Sequence, residues 1–130
     1  MPDYLTALQD IEVVVQAAFP PTVRCPDVAV TYNKLAEQSP ARVDAEDILL
    51  AVEIVSPGSR KQDRILKLAE YAEAGIPSYW VVELDEPATL TAYLLVDGYY
   101  EIVAQVTGSV LLSEPAPVSV DVRTLTARRR

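Results

Sequence analysis

The chain has no histidine among its 130 residues. That removes Ser-His-Asp and Cys-His nucleophile pairs, HExxH zinc sites and any imidazole base. Catalysis here must rest on carboxylates, lysine, tyrosine or a metal held by oxygen ligands. Two acids stand out by position. Asp27 opens "PDVAV", and Glu53 lies inside "ILLAVEIVSPGS", residues 48–59. An ionised carboxylate in such an apolar run costs several kcal/mol unless it is paired or metal-bound. If the two segments are neighbouring strands, the carboxylates meet at one end of a sheet. They then repel unless a cation joins them, and hard oxygen ligands select Mg²⁺ or Mn²⁺. Just downstream, Asp63, Lys67 and Tyr71 fall at i, i+4 and i+8, one stripe of a helix. A lysine beside a metal-bound phosphate neutralises charge in the transition state. The plainer reading of Asp63 and Lys67 is a surface ion pair.

The elements that must position these groups follow from pattern. "PDYLTALQ" (2–9) reads as a short helix or frayed start, with Pro2 in the first turn. "IEVVVQ" (11–16) and "PDVAVTY" (26–32) read as strands, separated by a break at "FPPT". Residues 33–47 are polar and acidic, a loop with a helical turn at most. "DILLAVEIVS" (47–56) is apolar on both faces, as a covered central strand is. Residues 59–75 form a helix on the spacing of Ile65, Leu68, Ala69 and Ala72, capped by Ser59 and stopped by Gly75. "SYWVVEL" (78–84) is a strand carrying a further acid, Glu83. "ATLTAYLLV" and "YYEIVAQV" flank Asp97-Gly98, which supplies the positive φ of a hairpin turn. "GSVLLS" and "PVSVD" are two more short strands, and "VRTL" suits a helical turn. The predicted class is α/β: one domain, a mixed central sheet with flanking helices and a C-terminal β-hairpin.

The length suits one domain, 1–130, able to bury about two thirds of its unfolded surface. No run of 18 apolar residues exists and the start lacks the pattern of a signal peptide, so a cytoplasmic protein away from membranes is expected. The single Cys25 excludes an internal disulfide and a multi-cysteine zinc site. A net charge of −8 argues against strong nonspecific binding of nucleic acid. The bases are nonetheless clustered: Arg60, Lys61, Arg64 and Lys67 face only Asp63 within eight residues, and three arginines close the chain. A solvated helix face is the ordinary explanation of such a run.

"CPDVAV", "LLAVEIVSPGSRKQDR", "KLAEYAEAGIPSYWVVEL" and the hairpin after them resemble the Uma-two family of restriction endonucleases, a branch of the PD-(D/E)XK nuclease superfamily. The likeness runs from about Glu12 to Leu125 and is most specific from Val52 to Glu83. It implies a restriction-endonuclease-like core and Mg²⁺- or Mn²⁺-dependent hydrolysis of DNA phosphodiester bonds. Asp27 matches the aspartate of the PD element and Glu53 the acid of the (D/E)XK element, the two metal ligands. The lysine of that element should stand at position 55, where this chain has Val55. Lys67 on the following helix matches the lysine instead. Asp63 and Glu83 are accessory candidates, and Arg60, Lys61 and Arg64 are candidates for holding the phosphate backbone. Members usually carry a longer N-terminal region, including a helix with an acid near the site. This chain reads as an N-terminally short member, and an uncovered apolar surface would be met by homodimerisation.

Two other readings stand beside the nuclease. One is a catalytically degenerate relative acting as a dimeric interaction module. The other is a carboxylate-based glycosidase, which fits two acids but not the Lys67 stripe. Ser56-Pro57, Gly75 and Tyr79-Trp80 read as structure, and Tyr71 chiefly as packing.

Overall fold

The computed structural model describes residues 4–17, 20–55, 61–84 and 87–122, the side chains of 61–63 excepted. In chain order the elements are β1 (Leu5–Gln9), β2 (Glu12–Gln16), β3 (Thr22–Arg24), β4 (Val28–Tyr32), α1 (Asn33–Ala36), β5 (Arg42–Asp44), a 3-10 turn (Ala45–Asp47), β6 (Leu50–Val55), α2 (Lys61–Glu73), β7 (Ser78–Glu83), β8 (Thr89–Val96), β9 (Tyr99–Val106), β10 (Ser109–Leu112) and β11 (Val118–Asp121). Six strands form one sheet in the order β1-β4-β6-β7-β8-β9. Every pair is antiparallel except β6 and β7, which run parallel because α2 carries the chain back between them. The expected mixed sheet is therefore present, with β6 and β7 at its centre.

Both faces of β6 are covered, and alternation along the strand decides which side chain goes where. Leu50 and Val52 join Trp80, Val82, Leu90 and Ala92 in a core closed by Leu112 and Val120 of the β10–β11 hairpin. Ala51 faces the other way, into a second core with Ala29, Tyr79 and Tyr71 of α2. The small sheet β3-β2-β5 closes that second core through Val13 and Val43. Glu53, two residues beyond Ala51, points to this α2 side.

Three sequence expectations are corrected. Residues 5–9 are strand, not helix: β1 pairs antiparallel with β4 from Leu5↔Tyr32 to Gln9↔Val28. The free edge of β4 recruits the segment, and pairing overrides its weak local preference. The stretch 33–47 contains a third strand of the small sheet, since β5 lies parallel to β2. Finally, α2 does not bury the stripe at Ile65 and Ala69. Ile65 and Leu66 are exposed, whereas Arg64, Lys67, Leu68 and Tyr71 turn inward to different depths. The Ser59 cap and the "VRTL" turn lie outside the described residues.

The two turns for which the sequence calls for a glycine behave as read. Asp97 (φ 51°) and Gly98 (φ 87°) join β8 to β9. Gly75 (φ 83°) ends α2. There the Ile76 N–H bonds the Tyr71 carbonyl at 3.2 Å and the Gly75 N–H bonds the Ala72 carbonyl at 3.0 Å, the paired bonds of a Schellman cap. Ile76 and Tyr71 are both fully buried in the same core, so the cap pins Tyr71 along the helix axis. Among the described residues no helix is long and apolar enough to cross a membrane.

Candidate active site

The site grows from the end of the β4–β6 ladder. Val28 pairs with Val52, so the antiparallel register carried one step further sets Asp27 opposite Glu53 on the α2 face. Asp27 Oδ2 accepts the backbone N–H of Ile54 at 2.7 Å. The aspartate thus caps the central strand and is held beside Glu53. Glu53 is 5% exposed. Its Oε1 accepts the Tyr71 O–H at 2.8 Å, and Lys67 Nζ stands 3.4 Å from its Oε2. One helical turn separates Lys67 from Tyr71, so a single face of α2 addresses both oxygens of one carboxylate.

Electrostatics follow from that burial. Desolvation raises the Glu53 carboxyl above the usual carboxylate range, and the Asp27 charge adds to it; the Tyr71 and Lys67 contacts oppose the rise without cancelling it. Burial, then the charge of Glu53, pushes the Tyr71 phenol far up, so Tyr71 is a permanent donor. Cys25 is exposed. The little burial it has, and then Asp10, Glu12, Glu53 and Asp27, raise its thiol. The thiol is thereby a poorer nucleophile, and the same four carboxylates make the surroundings of Cys25 negative.

The residues fit a hard divalent ion. Two carboxylates are placed side by side, a neutral donor orients one of them, and the described neighbours offer oxygen rather than imidazole or thiolate clusters. Elsewhere, Asp44, Glu46 and Asp47 bring carboxylate oxygens within 4.8 Å of one another. They belong to one β5–turn segment and two of the three are exposed, an arrangement adjacent acids adopt without an ion.

The remaining expectations distribute as follows. Glu83 faces α2 and forms an ion pair with Arg64, so this arginine has a carboxylate partner one strand away from Glu53. Arg60 and the side chains of Lys61 and Asp63 lie outside the described residues. Tyr79 packs at 5.0 Å from Tyr71 between ring centroids, and Trp80 belongs to the opposite core. Sequence reasoning undervalued Tyr71: it packs, but its hydroxyl also holds Glu53. The signal was the i, i+4 relation to Lys67. Arg24, bound to Glu70 at 2.7 Å, escaped notice because the two are 46 residues apart.

The sequence profile of Uma2, described as "Putative restriction endonuclease", matches residues 4–127. The chain belongs to the Uma2 family. A solved structure described as "a putative nuclease belonging to DUF820 from Anabaena variabilis ATCC 29413" is similar at a TM-score of 0.64 and 14% identity. The match covers 95% of this chain and 69% of that one, and at this identity it bears on the fold. A comparison with curated proteins gives no match. The Uma2 assignment and the mixed α/β sheet agree with each other, and the restriction-endonuclease-like fold expected from the sequence is the observed one.

Proposed function

We propose that this Uma2 member is a metal-dependent endonuclease that hydrolyses phosphodiester bonds of DNA at Asp27, Glu53 and Lys67. The observation carrying the reading is the meeting of Glu53 with Lys67 at 3.4 Å, beside Asp27, on the end of the central sheet. Asp27 and Glu53 would hold Mg²⁺ or Mn²⁺, with the Ile54 N–H and the Tyr71 hydroxyl fixing their orientation. Such an ion, when bound, supplies an activated water and polarises a phosphoryl oxygen. Lys67 turns toward Glu53 yet stays partly exposed, able to offset negative charge accumulating on a phosphoryl group. Arg64, whose position is set by Glu83, would hold the phosphate backbone, and Arg60 and Lys61 are proposed for the same role from their places in the sequence. Asp63 remains an accessory candidate on the same helix.

The homodimer belongs to the same proposal. β9 ends the six-stranded sheet, and its Tyr99, Ile102 and Val103 are exposed. Sedimentation velocity distinguishes a dimer from a monomer directly.

The function is tested by nicking of supercoiled plasmid in Mg²⁺ or Mn²⁺ at low salt. Wild type should cut, and chelation, Glu53→Gln or Asp27→Asn should stop it. Folded wild-type protein that cuts nothing over long incubation is the degenerate, non-catalytic relative.

A further inference from the structure

The two oxygens of Glu53 have unlike partners. Tyr71 is wholly buried, locked by the helix cap through Ile76 and packed at a tilt against the Tyr79 ring, and its bond to Oε1 is short at 2.8 Å. Lys67 is 37% exposed on its side chain, and its contact with Oε2 is long at 3.4 Å. A pair of that kind holds weakly, and a four-carbon stem lets the ammonium leave without rearranging the helix. We infer that Lys67 is a displaceable placeholder for the cation: it occupies Glu53 Oε2 in the metal-free protein and leaves when a divalent ion takes that oxygen, while Tyr71 keeps Oε1.

The physical reason is charge. A buried carboxylate next to Asp27 needs a positive neighbour, and two cations on one oxygen repel. Ion and ammonium therefore compete for Oε2, although each serves the same site. Oε1 stays with the phenol, so Glu53 meets the ion through one oxygen only. Once displaced, the Lys67 ammonium, already partly exposed, is released toward solvent. This inference rests on the metal-binding reading above, and it makes lysine removal favour metal binding while harming any turnover.

The test is Mn²⁺ binding to the full chain, followed by electron paramagnetic resonance of the free ion. Lys67→Met should tighten Mn²⁺ by about three- to tenfold, and Lys67→Arg should return the affinity to near wild type. Lys67→Gln serves if the methionine variant does not fold. An unchanged or weaker affinity in the neutral variants overturns the placeholder. Glu53→Gln separates the two ideas. If it abolishes binding while the neutral lysine variants do not tighten it, only the displacement fails. If it binds as wild type does, the metal reading itself fails and takes the placeholder with it. Infrared difference spectra on ion binding give a second reading: a single-oxygen carboxylate mode in wild type supports the division of oxygens, and a chelating mode overturns it.

Discussion

Replacing Glu53 by glutamine separates a buried charge from the shape that carries it. In the metal-free protein the ionised carboxylate bears a desolvation cost of several kcal/mol. Against this stand the Tyr71 hydrogen bond, about 1.5–3 kcal/mol for a charged acceptor, and the Lys67 pair, under about 1 kcal/mol at its length and exposure. The raised carboxyl shows that the cost exceeds the compensation. Glutamine keeps an oxygen for the Tyr71 hydroxyl, and Lys67 is exposed enough to rehydrate. Glu53→Gln should therefore stabilise the metal-free protein by about 1–2 kcal/mol, balancing these opposing terms. For a chain of this size that is a rise in Tm of about 3–8 °C. A divalent ion at a hundred times its Kd should add about 2.7 kcal/mol to wild type and nothing to the variant. Thermal melts with and without Mn²⁺ should thus cross, the variant melting higher without metal and wild type gaining only with it. A variant that melts several degrees lower without metal would refute the reasoning, since the charge would then be a net stabiliser.

The same carboxyl sets a pH dependence. Because its folded pKa is raised, the folded state binds the proton more tightly, so this contribution is fully present below the ordinary glutamate value of about 4.3 and is lost as pH rises through the folded value. The stability difference between Glu53→Gln and wild type should widen over that window, as urea melts at successive pH values would report. Tyr71→Phe removes the donor and leaves Oε1 unpaired, for a loss of about 1–3 kcal/mol in urea denaturation, provided Glu53 stays ionised. The Cys25 thiol should react slowly with an anionic disulfide reagent, and Mg²⁺ should speed it in wild type but not in Glu53→Gln, because the nearby carboxylates raise the thiol. Gly75→Ala should cost about 1–2 kcal/mol from its left-handed conformation, measured by thermal melts.

What was legible in the sequence was legible for definite reasons. β6 reads as a central strand because both of its faces are apolar, and that is also why Glu53 stands out within it. Asp97-Gly98 marks its hairpin by backbone requirement alone. The acids Asp27 and Glu53 could be placed together only by supposing their strands adjacent, which the β4–β6 register supports. Hydrophobic periodicity misled on α2 because the inward face carries Arg64, Lys67 and Tyr71, which meet Glu83 and Glu53, leaving Ile65 and Leu66 outside. A helix that serves a polar site presents its pattern the wrong way round. β1 and β5 were missed because each is short and is defined by the strand it joins, not by its own residues.

The two-sided sheet also partitions the consequences of sequence change. Val52, Trp80 and Val82 look toward the β10–β11 hairpin, while Ala51, Glu53 and Tyr79 look toward α2. The even-numbered side of these two strands can drift among well-packed alternatives and alter robustness alone. A single-residue deletion upstream within β6 would do something quite different: it would swap the sides, turning the acid into the hydrocarbon layer and bringing Ile54 to the place that faces the lysine.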